Sequence, residues 1–231
     1  MKKLLVVVLF FAGVSVMAQN VQLHYDFGDG RNFLTSTVEM FKPDKHGSSF
    51  FFIDMDYSKD GVGLAYWEIS RDLKFWEAPV AFHAEYNGGF MLGDYNPANF
   101  NYNGFVFNDA WLAGASYSWN AEDFSKGFTF IANYKYIRNL HNASFQLTGV
   151  WYLNLLDNKI SITGFADFWK EDVDYEFDGT VDTKFIFLSE PQVWYNATKN
   201  FSIGGELELA NNFGLVKGFK ARPTLAAKYT F

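Results

Sequence analysis

Acidic side chains recur in this chain at alternate positions of short segments, often beside apolar neighbours. Asp54 and Asp56 stand two apart, as do Glu206 and Glu208, while Asp26, Glu39, Glu68, Glu85, Asp167 and Glu190 occupy equivalent places elsewhere. Two carboxylates at i and i+2 can do general acid–base work, and they are equally ordinary where one face of a strand meets water. Basic groups share the same positions: His24, His83, Lys135, Lys184, Lys220, Arg222 and Lys228. Aromatic residues also fall there, namely Phe52, Tyr66, Tyr152, Phe165, Trp169 and Trp194. Flat π-faces among hydrogen-bonding groups suit a solute with a ring and several hydroxyls. The plainer alternative is a ladder of charge pairs and filler side chains that fixes strand register.

Catalytic constellations are harder to assemble. His141 and Ser144 could support nucleophilic catalysis with an acid partner, as a lipid hydrolase would need. No Gly-x-Ser-x-Gly segment accompanies them, and a loop histidine beside a capping serine explains the pair equally simply. The other histidines, His24, His46 and His83, show no metal spacing. Zero cysteines remove thiolate metal sites and disulfide frameworks. Gly61-Val62-Gly63 enters a strand rather than a helix, so it is no phosphate-cradling loop. Neither a metal, a cofactor nor an enzymatic activity is expected.

The elements that must position these residues are strands. In the final stretch, FKARPTLAAKYTF (219–231), Phe219, Ala221, Pro223, Leu225, Ala227, Tyr229 and Phe231 share one face. Lys220, Arg222, Thr224, Lys228 and Thr230 take the other, which is the period of a strand with different solvents on its two sides. Eleven further segments alternate in the same way, at 21–27, 34–41, 49–57, 63–70, 80–87, 108–119, 128–138, 143–154, 160–169, 183–195 and 201–209. The even total suits an antiparallel transmembrane β-barrel in one domain. The longest connections, around 88–107, 171–182 and 210–218, follow odd-numbered strands, whereas the turns at 155–159 and 196–200 follow even ones. Long outer loops and short inner turns are a barrel's habit, with the N-terminus on the periplasmic side.

A soluble protein rarely ends on an exposed Tyr-x-Phe strand, because that edge would template pairing with another chain. A barrel pairs it with the first strand. The ending resembles the C-terminal signal by which outer-membrane barrels are recognised, so the barrel insertion machinery is an expected partner alongside outer-membrane lipid. At the other terminus, Lys2 and Lys3 precede an apolar run too short to span a bilayer as a helix. Val16-Met17-Ala18 follows as a small-residue cleavage site, which predicts a signal peptide over 1–18 and a barrel over 19–231.

Composition agrees. Aromatics make up 20% of the chain while mean hydropathy is only −0.10, as expected when lipid-facing and water-facing residues alternate. Without Lys2 and Lys3 the 19 basic residues fall to 17 against 26 acidic ones, a net charge near −9. Such an acidic chain is a poor binder of nucleic acid. A soluble sandwich or lipocalin-like barrel would bury these carboxylates and lysines in a dry core, at several kcal/mol each.

Three segments, SFFFIDMDY (49–57), LAYWEISRDLKF (64–75) and ITGFADFWKEDVDYEFDG (162–179), carry a family resemblance. They are similar to the Tsx-type nucleoside-specific outer-membrane channels, and closer to a family of small, uncharacterised barrels related to them. The resemblance implies a Gram-negative-type outer-membrane location and passive diffusion of small solutes, with nucleosides the implied class. Phe52, Asp54, Asp56, Tyr66, Glu68, His83, Glu85, Lys135, Asp167, Trp169, Glu206 and Arg222 are the candidate lumen contacts. A plugged or purely structural barrel and a lipid hydrolase are the alternatives.

Overall fold

A computed structural model describes residues 18–231 apart from Asp29, Asp94, residues 97–100, His141, Ala143 and Phe177. The expected leader lies outside the described residues except for Ala18, and so does His141 of the His–Ser pair. Twelve long strands run in order: β1 (Ala18–Asp26), β2 (Phe33–Asp44), β3 (Gly47–Ser58), β4 (Gly61–Leu73), β5 (Val80–Met91), β6 (Ala110–Asn120), β7 (Lys126–Ile137), β8 (Ser144–Leu155), β9 (Ile160–Val173), β10 (Asp182–Ser189 continuing as Gln192–Asn196), β11 (Phe201–Asn211) and β12 (Phe219–Thr230). Each is antiparallel to its neighbour, and β12 closes on β1 with Asn20 opposite Thr230 and Asp26 opposite Thr224. Closure leaves no long edge for another chain to pair with.

Alternation decides which residues face where. Leu23 and Tyr25 are 48% and 44% exposed on the outer face, while Gln22 and His24 between them are 2% and 3% exposed. Strands β6 and β7 repeat the pattern, with Trp111, Tyr117, Phe128, Phe130, Tyr134 and Tyr136 outside and Leu112, Ser116, Asn133 and Lys135 within. An apolar exterior around a polar interior is the inverse of a soluble fold, and only lipid makes it favourable.

The β10 interruption at Glu190 and Pro191 does not break the sheet. Ser189 pairs with Ala166 and Gln192 with Thr163, so the register against β9 is the same on both sides. Glu190 N–H still donates to the Phe165 carbonyl at 3.1 Å, and the Pro191 carbonyl accepts from Leu207 N–H at 3.0 Å. Proline removes one donor from the ladder and nothing more.

Strand boundaries differ from the sequence expectation by a few residues, mostly toward longer strands. β4 runs on to Leu73, β5 to Met91 and β9 to Val173, while β6 begins at Ala110 rather than 108. The start of β1 and the end of β12 lie at one end of the barrel, here the near rim. The β5–β6 connection at the far rim carries a small hairpin, Tyr95–Asn96 against Asn101–Tyr102, and a second short pairing of Phe105–Val106 with β5. Two connections depart from the length rule: the far-rim turn between β3 and β4 is only residues 59–60, and the near-rim connection between β4 and β5 spans 74–79.

Candidate functional site in the barrel lumen

All twelve candidate residues project inward by register. Three layers of interaction organise them. Toward the far rim, Arg222 Nη1 on β12 donates to Glu208 Oε1 on β11 at 2.6 Å. Arg31, from the β1–β2 connection, folds in to bind Asp26 Oδ2 at 2.7 Å and Glu208 Oε2 at 2.8 Å. Arg222 is therefore held in an ion-pair network. In register Arg222 meets Glu208, Lys220 stands opposite Ala210, and Glu206 pairs with Gln192. Asp26 is reached by Arg31 rather than by β12.

The middle layer is acidic, and its carboxylates are held by neutral donors. Thr35 donates to Asp56 at 2.8 Å, Thr37 to Asp54 at 2.5 Å, Tyr66 to Glu68 at 2.7 Å and Gln192 to Glu206 at 2.7 Å. Thr148 donates to Asp167 in the same way. Each bond comes from a residue two positions along the strand or directly across it, so the alternation that sends the acid inward sends its donor there too. Glu68, Glu85, Asp167 and Lys135 lie within electrostatic reach of one another, as do Glu190, Glu206 and Asp54. Lys135 Nζ donates to Gln146 Oε1 at 2.7 Å and sits 4.4 Å from the Trp169 ring centroid.

Toward the near rim, His83 is clamped between Asp72 Oδ1 at 2.8 Å and Glu85 Oε2 at 3.0 Å, an arrangement suited to an imidazolium donating from both nitrogens. Ser116 Oγ donates to the same Asp72 oxygen at 2.9 Å, so its hydroxyl addresses the carboxylate rather than the imidazole. Ser144, the partner proposed for His141, donates to the Lys170 carbonyl.

The aromatic residues divide into two groups. Trp194 is 0% exposed, stacked under Lys228 Nζ at 4.0 Å and edge-on to His24 at 6.0 Å. Its ring lies over Gly204, where a Cβ would come within 2.8 Å of Cε3. Trp169 and Phe165 pack with Val173, Ile186, Leu188 and Ala210 as an apolar lining along β9 to β11. By contrast Phe52, Asp54, Asp56, Tyr66 and Glu68 on β3 and β4 stay only half-buried. Water-accessible lumen therefore lies along that wall. A cavity of about 310 Å³ opens at the far rim between Ser58–Gly63 and Leu92–Gly93, apart from these carboxylates.

Sequence reasoning missed Arg31 and Asp72 as members of these networks. Asp72 continues the even-numbered inward positions after Glu68 and Ser70, so a longer β4 would have included it. Arg31 carries no such signal, because alternation stops at the turn. Among the described residues no cluster of His, Asp or Glu has the arrangement of a metal site.

Fold and lumen together define an outer-membrane β-barrel with a polar interior. The chain belongs to the family described as "Domain of unknown function (DUF5020)", whose model matches residues 18–231. Among solved structures it is similar to the NanC porin, with a TM-score of 0.59 and 10% identity over 93% of this chain and 100% of that one. It is also similar to the KdgM porin in complex with disordered oligogalacturonate, at a TM-score of 0.50 and 10% identity over 93% and 99% of the two chains. At this identity the likeness is one of fold. No curated protein sequence matches the chain.

Proposed function

We propose that the barrel is a non-enzymatic passive channel for small polar solutes bearing a flat ring and several hydroxyls, with nucleosides as the favoured class. The observation that carries this reading is the half-buried wall of Phe52, Asp54, Asp56, Tyr66 and Glu68, where rings and acceptors stand side by side. The acids there are held by hydroxyl donors, so they retain acceptor capacity for a passing solute. An excess of carboxylates disfavours polyanions in a confined lumen. For that reason the oligogalacturonate bound by the KdgM porin is not carried over to this chain, and nucleotides are expected to pass poorly.

The second reading is a plugged, non-conducting barrel. It is favoured by the deep burial of Gln22, His24, Asp26 and Trp194. Single-channel recording in a planar bilayer separates the two, with nucleosides, nucleotides and sugars added in turn. Concentration-dependent block by nucleosides, weakened in Phe52→Ala, supports the channel. Insertion without current would leave the plugged barrel standing.

A further inference from the structure

Aromatic rings on the inner face of β2, β3 and β4 form a line that starts close to the near rim. Phe41 and Phe50 stand opposite each other there, with Ser70 beside Phe50 on β4. The next inward row holds Glu39, Phe52 and Glu68, and the one beyond it Thr37, Asp54 and Tyr66. The ring centroids of Phe50 and Phe52 are 6.0 Å apart, and so are those of Phe52 and Tyr66, each pair tilted by 51°. Phe41 is 44% exposed, and Phe50, Phe52 and Tyr66 are half-buried along the accessible wall. The indoles of Trp169 and Trp194 are covered instead, each buried beneath a lysine ammonium.

Apolar rings left against water cost free energy that burial would offset, and contiguous exposed apolar surface in a groove marks a place for a ligand. The flanking groups define which ligand. Phe52 lies in register between Glu39 and Glu68, whose carboxylates accept from neutral donors, Asn20 Nδ2 at 3.1 Å and the Tyr66 hydroxyl at 2.7 Å. Acceptors with lone pairs to spare therefore edge the rings on both sides. A flat ring laid on this line buries its face against the aromatics while hydroxyl or amino groups on its rim reach the carboxylates. An aliphatic chain would leave those acceptors unused, and an anionic solute would meet them with like charge. Inward positions recur about every 7 Å along a strand, so a ring leaving one station meets the next before it returns fully to water. We propose that Phe41 and Phe50 extend the Phe52–Tyr66 wall into a stacking rail, running from the near rim to mid-lumen, for the flat ring of a neutral solute, whether nucleobase or pyranose. The inference rests on the channel reading above and adds two residues and the path they define.

The test uses full-length barrel in planar bilayers, with adenosine, maltose and the ringless polyol sorbitol as blockers of the open current. In wild type a ringed solute should block more strongly than sorbitol. Phe41→Leu and Phe50→Leu keep apolar bulk but remove the flat face, and each should weaken that block about fivefold or more, the scale of one lost stacking contact. Phe50→Trp should retain the block. Phe51→Leu, one residue away on the outer face, should leave it unchanged. Should Phe50→Leu fail to assemble, Phe41→Leu at the more exposed position decides. Block by adenosine alone supports a rail for nucleobases, and block by maltose alone supports one for sugar faces. Undiminished block in both leucine variants, an equal loss in Phe51→Leu, or block by sorbitol as strong as by the ringed solutes would overturn the rail and leave the channel. Insertion without current would overturn both.

Discussion

Glu208 and Arg222 are 6% and 8% exposed, and their pairing shows how the lumen tolerates charge. A buried carboxylate deprived of its guanidinium is left without compensation, which typically costs about 3–5 kcal/mol, whereas replacing both members by apolar residues is often nearly neutral. Glu208 keeps Arg31 as a second partner, so Arg222→Met should destabilise the barrel by less than that amount in a urea titration followed by tryptophan fluorescence. The double variant Arg222→Met with Glu208→Leu should recover most of the loss, with Arg31 still bound to Asp26. If the single and double variants unfold alike, the pair contributes little and Arg31 holds Glu208 unaided. The mid-lumen acids differ in kind. Bonded to threonines, a tyrosine and a glutamine rather than to cations, they are the ones left with acceptor capacity.

Each strand presents two solvents with two sequences, and adjacent positions on β3 test that directly. Ile53 lies opposite Val38 and Trp67 on the outer face, whereas Asp54 lies opposite Thr37 and Tyr66 within. Ile53→Asp puts a carboxylate in lipid, at somewhat less than the roughly 2–4 kcal/mol of a basic group at the midplane. Assembly into detergent-resistant barrel should fall for Ile53→Asp and persist for Asp54→Asn; equal behaviour would mean a register error in β3. The closing strand is equally open to test. Phe231 N–H donates to the Gln19 carbonyl at 3.0 Å, and Tyr229 and Phe231 stand edge-on on the exposed outer face. Changing both to Ser is expected to leave folded protein scarce in the outer membrane, by immunoblot of fractionated cells. Undiminished insertion would show that the strand is not an assembly signal.

At the scale of the whole molecule, the inward carboxylates exceed the inward cations, so the barrel presents one sign of charge to anything entering it. A low-dielectric wall focuses that field along the axis. Under a potassium chloride gradient the reversal potential should show preference for the cation. Neutralising Asp54 and Glu68 together, as Asn and Gln, should move it toward zero. An anion-preferring wild type would contradict the lumen described above. Twelve strands also set the scale of the lumen, between eight-stranded barrels filled by side chains and porins with wide aqueous channels.

Alternation with period two carries its meaning in the primary sequence, because successive side chains of any strand must point to opposite faces. That is why the barrel, its strand number and the inward set from Asp26 to Lys228 are legible in the sequence. Pro191 could be read as part of a strand for the same reason, since the residues around it keep the parity. Which inward groups meet was a different matter. Arg31 reaches Glu208 across 177 positions of sequence, and Asn133 leans over Gly114 because that position has no side chain. Register between neighbours sets those meetings, and register is a property of paired strands. A single strand's pattern states which face a residue takes. The closed sheet alone decides which partner it finds there.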